Sequence, residues 1–179
     1  HLAGDYVAGV ANGGALNCVK YFPGVSGILK TLAQMEDAEF VPYKHMFRRC
    51  DAIMPSDMVF ANIDSSSRAM MSDKIIKELL KKRLNYKGCV IGAPLYKSRI
   101  KHEAAAALKM IGCGVEMILA PQNADAVLDA VEKEFDKGAI SDAVIRSVSS
   151  QEMLISKVLT SAAYLFSPKE AFEMARNFK

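Results

Sequence analysis

Apolar positions along the chain fall into two alternating rhythms. Short runs of small and β-branched residues, the pattern of strands buried on both faces, cover 15–22, 52–60, 89–91 with its neighbours and 115–120. Between them lie longer stretches of helical periodicity at 36–49, 72–83, 102–111 and 124–137. Within 72–83, Ile75, Ile76, Leu79 and Leu80 share one face and Lys74, Lys77 and Lys81 the other. Ser72 and Asn123 are expected helix N-caps, because a short polar side chain satisfies amides of the first turn. Gly138 is an expected helix stop. Ser167-Pro168-Lys169-Glu170 joins a Ser cap, a Pro at the first helical position and an early Glu, which predicts a last short helix to about Asn177. The first fourteen residues read as the end of a helix and an Asn-Gly-Gly turn.

This order predicts one α/β domain over 1–179. Residues 1–14 end a helix, 15–146 form four βα units, and 147–179 form a C-terminal helical extension. Strands alternating with helices imply a parallel sheet with right-handed crossovers. Two architectures satisfy the pattern: half of a TIM-type (β/α)8 barrel, or a small open flavodoxin-like sheet with the terminal helices folded over an edge. Both bind ligands at the C-terminal ends of the strands, so chemistry is sought there.

Composition narrows the partners. Hydrophobic residues are 51% and charged residues 24% of the chain, as in a packed globular domain, and the net charge is +3. The densest cationic run, Lys81-Lys82-Arg83, ends a helical stretch, where cations complement the helix dipole. No nucleic-acid partner is expected. No run reaches the ~18–20 apolar residues of a membrane span. The four cysteines, Cys18, Cys50, Cys89 and Cys113, form no C-x-x-C pair and lie at no metal-ligand spacing from His1, His45 or His102. They are expected to be small buried hydrophobes, and neither metal nor cofactor is expected. Free thiols and the lack of a signal peptide favour the cytoplasm. The chain begins at His1 rather than Met, as it would if its natural N-terminus were truncated.

Five blocks carry a family resemblance. Lys20-Tyr21-Phe22-Pro23-Gly24 resembles the Lys-His-Phe-Pro-Gly signature of glycoside hydrolase family 3, in its β-N-acetylhexosaminidase branch. Asp51-Ala52-Ile53-Met54-Pro55-Ser56-Asp57 is similar to the family's next strand, Asp-Ala-(Ile/Val)-Met-(Pro/Thr)-Ala-His. Residues 72–88 resemble the helix and Leu-Gly-Phe-Asp-Gly lead-in before the nucleophile strand. Residues 104–119 resemble the Ala-rich helix and last barrel strand, and Lys137-Gly138-Ala139-Ile140-Ser141 the Gly-Arg-Ile-Ser turn. The blocks span residues 1 to about 160 and correspond to the fourth helix through the eighth βα unit, that is, the second half of the barrel.

The resemblance implies retaining glycoside hydrolysis, in which a carboxylate attacks the anomeric carbon and a second group protonates the leaving oxygen. The family's nucleophile is the first Asp of a Ser-Asp-Asp-Leu run; here the run is Gly92-Ala93-Pro94-Leu95, so Ala93 stands at the nucleophile position. The loop after Gly24, which supplies the acid/base His and an Asp in that branch, is shorter here and holds neither in 25–31. Tyr21 and Asp57 stand where the family has histidines, and Lys20 alone matches a family polar residue. The expectation is a non-catalytic domain: a scaffold, an assembly partner or a weak carbohydrate binder, with Lys20, Tyr21 and Asp57 as its candidate sugar contacts. The alternative is an active β-N-acetylhexosaminidase-like glycosidase with relocated acids such as Asp57. Glu116 is a second carboxylate, in an otherwise apolar run. Retaining chemistry needs the two about 5 Å apart. The plainer expectations are Asp57 paired with Lys20 and Glu116 turned outward to a helix lysine. Tyr21 and Tyr96 could stack on a sugar or pack at the rim. Four strands do not close a barrel, so a missing N-terminal half or a second copy is expected to cover the edges.

Overall fold

The computed structural model describes residues 2–24, 31–37 and 39–165. After helix α1 (Leu2–Asn12), strands β1 (Cys18–Phe22), β2 (Ala52–Pro55) and β5 (Cys89–Val90) pair in parallel in the order β1-β2-β5. A parallel bridge between Ile91 and Met117 adds a fourth strand position beyond β5. Every parallel strand thus neighbours the parallel strand before it in sequence. A flavodoxin-like sheet would break that sequence at a switch point, whereas a (β/α)8 barrel keeps it throughout. The fold is of the TIM-barrel type.

The helices lie where the apolar rhythm puts them, with instructive exceptions. The helix Lys74–Arg83 is wound as a π-helix, and Leu84 N–H closes its end on Leu79 O at 2.9 Å. Its predicted face, Ile75, Ile76, Leu79 and Leu80, is fully buried. Each such side chain contributes on the order of 1.5–3 kcal/mol. Ser72 caps its start, accepting from Ile75 N–H at 3.2 Å. Helices α4 (Glu103–Cys113), α5 (Ala124–Asp136) and α6 (Ser141–Leu165) follow. Asn123 caps α5, accepting from Ala126 N–H at 3.0 Å. Gly114 (φ +96°) ends α4 and Gly138 (φ +75°) turns the chain after α5; both conformations are left-handed, where a Cβ is strained.

Three expected boundaries move. The helical stretch 36–49 is two helices, α2 (Leu32–Asp37) and α3 (Phe40–Met46). Pro42 explains the break: without an amide it is tolerated in a first turn, so a helix must begin just before it. The run 52–60 is not one strand. Ser56 Oγ accepts from Met58 N–H at 3.2 Å and folds the chain over. Beyond that turn, β3 (Val59–Phe60) pairs antiparallel with β4 (Asp64–Arg68) in a separate hairpin. Helix α6 begins at Ser141 rather than 147. The Ser167-Pro168 helix lies outside the described residues.

The sheet divides two apolar clusters. On one face Val19, Ile53 and Val90 pack with the π-helix and α4. On the other, Ala52 and Cys89 touch Leu154 of α6, ringed by Leu16, Ile91 and Met117. Register places Cys18, Ala52 and Cys89 side by side on that second face. Cys50, Cys89 and Cys113 are buried as expected, but Cys18 is exposed. It stands on β1, which pairs only with β2 among the described residues, so nothing described covers its outer side.

Candidate functional site

The finishing ends of the strands hold the residues that the sequence singles out. β1 delivers Lys20 and Tyr21, and its end is fixed from behind. Phe22 is fully buried, stacked on Phe40 at 5.9 Å and edge-on to Tyr43 at 5.2 Å. Tyr43 OH donates to Tyr21 O at 2.7 Å. Burial, reinforced by Glu39, pushes the Tyr43 phenol well above its usual range, so it remains a donor. The backbone is cis at Lys20–Tyr21 and Phe22–Pro23. Gly24, at φ +114°, ends the motif with the Glu39 carboxylate 2.9 Å from the place a Cβ would take. Loop residues 25–30, where the family keeps its acid/base His, lie outside the described residues.

Lys20 and Tyr21 are both exposed, and the Lys20 ammonium sits 5.6 Å from the Tyr21 ring centroid. Tyr96, beyond β5, repeats the arrangement with Lys97 at 5.5 Å. Tyr21 and Tyr96 therefore each already have a cation near the ring, an arrangement worth about 0.5–1 kcal/mol at exposed sites.

Asp57 follows the turn after β2. Its expected pairing with Lys20 does not occur. Its carboxylate faces Arg68 of the hairpin at 3.8 Å, and the same guanidinium donates to Ser98 O at 2.9 Å and Asp57 O at 3.4 Å. Arg68 so ties the β2 turn to the chain after Ala93. No sequence signal marked it: it is one cation in a Ser-rich hairpin, and only the hairpin's fold-back aims it at Asp57. Ala93 is buried. Just before it, Gly92 N–H donates to Met117 O at 2.9 Å, and a Cβ on Gly92 would collide with the end of Met110. Just after it, Leu95 N–H donates to Leu119 O at 3.0 Å. A methyl group here has no lone pair with which to attack carbon.

Three further carboxylates beside the strands serve the fold. Glu116 takes the outward reading: Lys81 of the π-helix meets it at 3.0 Å, and Val90 N–H donates to it at 2.7 Å. Asp51, buried at the start of β2, accepts from Asn17 N–H at 2.9 Å and Asn17 Nδ2 at 2.8 Å, and is bonded by Lys157 of α6. Asp64 accepts from Ser72 Oγ at 2.6 Å and Ser66 Oγ at 2.7 Å, which hold its carboxyl down at about 2. Among the described residues no group of three or more His, Cys, Asp or Glu could hold a metal ion, and no helix is long and apolar enough to cross a membrane.

Sequentially ordered parallel strands define a TIM-type barrel class of fold, and one of them ends in the Lys-x-Phe-Pro-Gly block that resembles glycoside hydrolase family 3. Residues 1–153 match the glycosyl hydrolase family 3 N terminal domain, and the chain belongs to that family. It is 27% identical over 159 residues to a β-hexosaminidase of Neisseria meningitidis serogroup C, covering 75% of this chain and 41% of that protein. The fold matches a family 3 β-N-acetylglucosaminidase from Paenibacillus sp. FPU-7 with a TM-score of 0.82 and 22% identity, over 93% of this chain and 35% of that one. The β-N-acetylglucosaminidase of Thermotoga maritima matches with a TM-score of 0.74 and 22% identity, over 90% and 38%. The chain thus spans about two fifths of the length of the curated relative described.

Proposed function

We propose that this chain is a catalytically silent segment of a family 3 barrel, serving as a scaffold, an assembly partner or a weak binder of carbohydrate. The observation that carries the reading is Ala93, a buried methyl group where the resemblance puts the nucleophile. It is supported by the engagement of four carboxylates near the strands. Asp57 faces Arg68, Glu116 faces Lys81, and Asp51 and Asp64 are saturated with donors. A nucleophile must be free to approach an anomeric carbon, and these are committed to neighbours. Lys20, Tyr21 and Asp57 are the candidate sugar contacts, since all three stand at strand ends.

The test is hydrolysis of 4-methylumbelliferyl N-acetyl-β-glucosaminide by the purified chain. Release no faster than buffer is expected, for Ala93→Asp as well, because one restored carboxylate lacks its proton donor. Turnover that disappears in Asp57→Asn would overturn the proposal in favour of a glycosidase with relocated acids. That second reading is favoured by one observation, the partial exposure of Asp57.

A further inference from the structure

The loop after β5 is shaped to show charge. Its inward residues are Leu95, fully buried, and Ser98, 3% exposed. Ser98 Oγ donates to Pro94 O at 3.0 Å, and the Ser98 carbonyl accepts from Arg68 at 2.9 Å. With these two turned in, Tyr96, Lys97, Arg99 and Lys101 all stand exposed. Arg99 holds φ +51°, a left-handed conformation that strains any residue with a Cβ. Four lysines elsewhere are matched by acids: Lys77 by Asp73, Lys81 by Glu116, Lys82 by Glu78 and Lys137 by Glu134. Lys97, Arg99 and Lys101 are ion-paired with no carboxylate among the described residues. Three like charges within five residues repel one another, and a loop pinned at Leu95 and Ser98 does not spread them apart. An anion from outside relieves that repulsion.

The loop borders a recess of about 490 Å³, lined by Ile100, Lys101 and His102 and, from beyond the Met117 strand, by Gln122 and Asn123. The carboxylate in this lining, Glu103, is taken up by backbone. Gln122 N–H donates to it at 2.7 Å and Asn123 N–H at 3.3 Å, so its charge is met by amides and not by the loop cations. At the other end of the loop stands Tyr96, 47% exposed. A phenol ring beside unpaired cations suits a sugar whose substituents are anionic. The apolar face of the sugar lies on the ring, while carboxylate or sulfate groups take charge-assisted hydrogen bonds from Lys and Arg. A neutral sugar would leave the cations unanswered. A nucleic-acid backbone needs a longer cationic track than three side chains of one loop.

We propose that loop 94–102 and the recess beside it bind an acidic oligosaccharide, with Tyr96 under a sugar ring and Lys97, Arg99 and Lys101 on its carboxylate or sulfate groups. The inference rests on the proposed reading of the chain as a binder of carbohydrate, and names the class of carbohydrate.

The test titrates the full chain, by isothermal calorimetry, with four probes. A heparin hexasaccharide carries sulfate, hexagalacturonate carries carboxylate alone, chitohexaose is neutral, and single-stranded oligothymidylate is a phosphate polymer. An acidic sugar is expected to bind, and chitohexaose at least about tenfold more weakly, since it offers no partner to three cations. Lys97→Gln with Arg99→Gln and Lys101→Gln, all at exposed positions, should weaken the acidic sugars about tenfold and leave chitohexaose unchanged. Arg99→Gly removes one cation and suits the left-handed backbone, so the loop keeps its shape; it should weaken them about twofold and raise the Tm. Tyr96→Ala should weaken them about threefold. Either acidic sugar alone, bound by the chain and weakened in the triple variant, upholds the proposal and tells sulfate from carboxylate. Equal affinity of the wild type and the triple variant for the acidic sugars would overturn it. So would chitohexaose bound as tightly as the acidic sugars, oligothymidylate bound more tightly than either, or no heat with either acidic sugar at about 1 mM. Chitohexaose binding alone would sink this inference and leave the carbohydrate reading standing. Glycoside turnover would overturn the silent-site reading and leave the loop assignment standing, so the failures are separable.

Discussion

The two ends of the parallel sheet are built to different standards. At the starting ends, side chains from distant segments converge on buried acceptors. Asp51 takes three hydrogen bonds, from Asn17 twice and from Lys157 once. The carboxylate of Glu116 holds Lys81 and the Val90 amide, while its carbonyl accepts from Ser147 and from Gln151 at 3.4 Å. These contacts bind α6 and the π-helix to the strands. At the finishing ends, where a barrel enzyme keeps its reacting groups, stand an alanine, two exposed tyrosines with cations near their rings, and one half-exposed ion pair. The difference teaches that the described polar contacts which hold this barrel segment together gather at the starting ends of its strands, while the finishing ends carry few of them.

Substitutions at the two ends sharpen the contrast. The largest effect is expected for Asp51→Ala, which strips a carboxylate only 4% exposed and removes the buried acceptor of both Asn17 donors. It should cost about 3 kcal/mol in urea unfolding, as removal of one partner from a buried charged network does. A cost below about 1 kcal/mol would show that the starting ends are not specially built. Ser72→Ala comes next at about 2 kcal/mol, because it removes both the cap of the π-helix and a donor to Asp64. This effect depends on pH. Hydrogen bonds from Ser72 and Ser66 lower the Asp64 carboxyl from 3.8 to about 2. Its contribution is complete above the unfolded value and is lost as pH falls through the folded one. The urea midpoint should therefore drop between about pH 4 and pH 2, and less steeply in Ser72→Ala.

Glu116→Gln keeps an acceptor for the Val90 amide but loses the charge facing Lys81, and about 1 kcal/mol is expected from the same measurement. Asp57→Asn should be the mildest, within about 0.5 kcal/mol, since its pair with Arg68 is long and its side chain 42% exposed. If Asp57→Asn proved as costly as Asp51→Ala, the finishing ends would be as structurally committed as the starting ends, and the contrast would fail.

Much of this arrangement is legible in the sequence, and the parts that are not share a cause. The π-helix face, the caps at Ser72 and Asn123, the left-handed glycine after α5 and the order of strands and helices all follow from neighbours within a few residues. The hairpin β3–β4 does not, because Val59 and Phe60 have the apolarity of a continuing strand. Only the turn at Ser56 and the return of Asp64–Arg68 divert them. Cys18 has the composition of a buried strand residue and is exposed because β1 pairs on one side alone among the described residues.

The sequence by itself determined the βα alternation, the family and the methyl group at position 93, because periodicity, motif and residue identity are properties of the chain's own order. The tertiary structure decided the sheet order that separates a barrel from an open sheet, and the distant partners of Asp51 and Asp57. Asp57 meets Arg68 rather than Lys20, and Asp51 meets Lys157 from 106 residues away. Such pairings depend on how helices and turns pack around the strands, and a charge in the sequence carries no record of which distant charge that packing brings beside it.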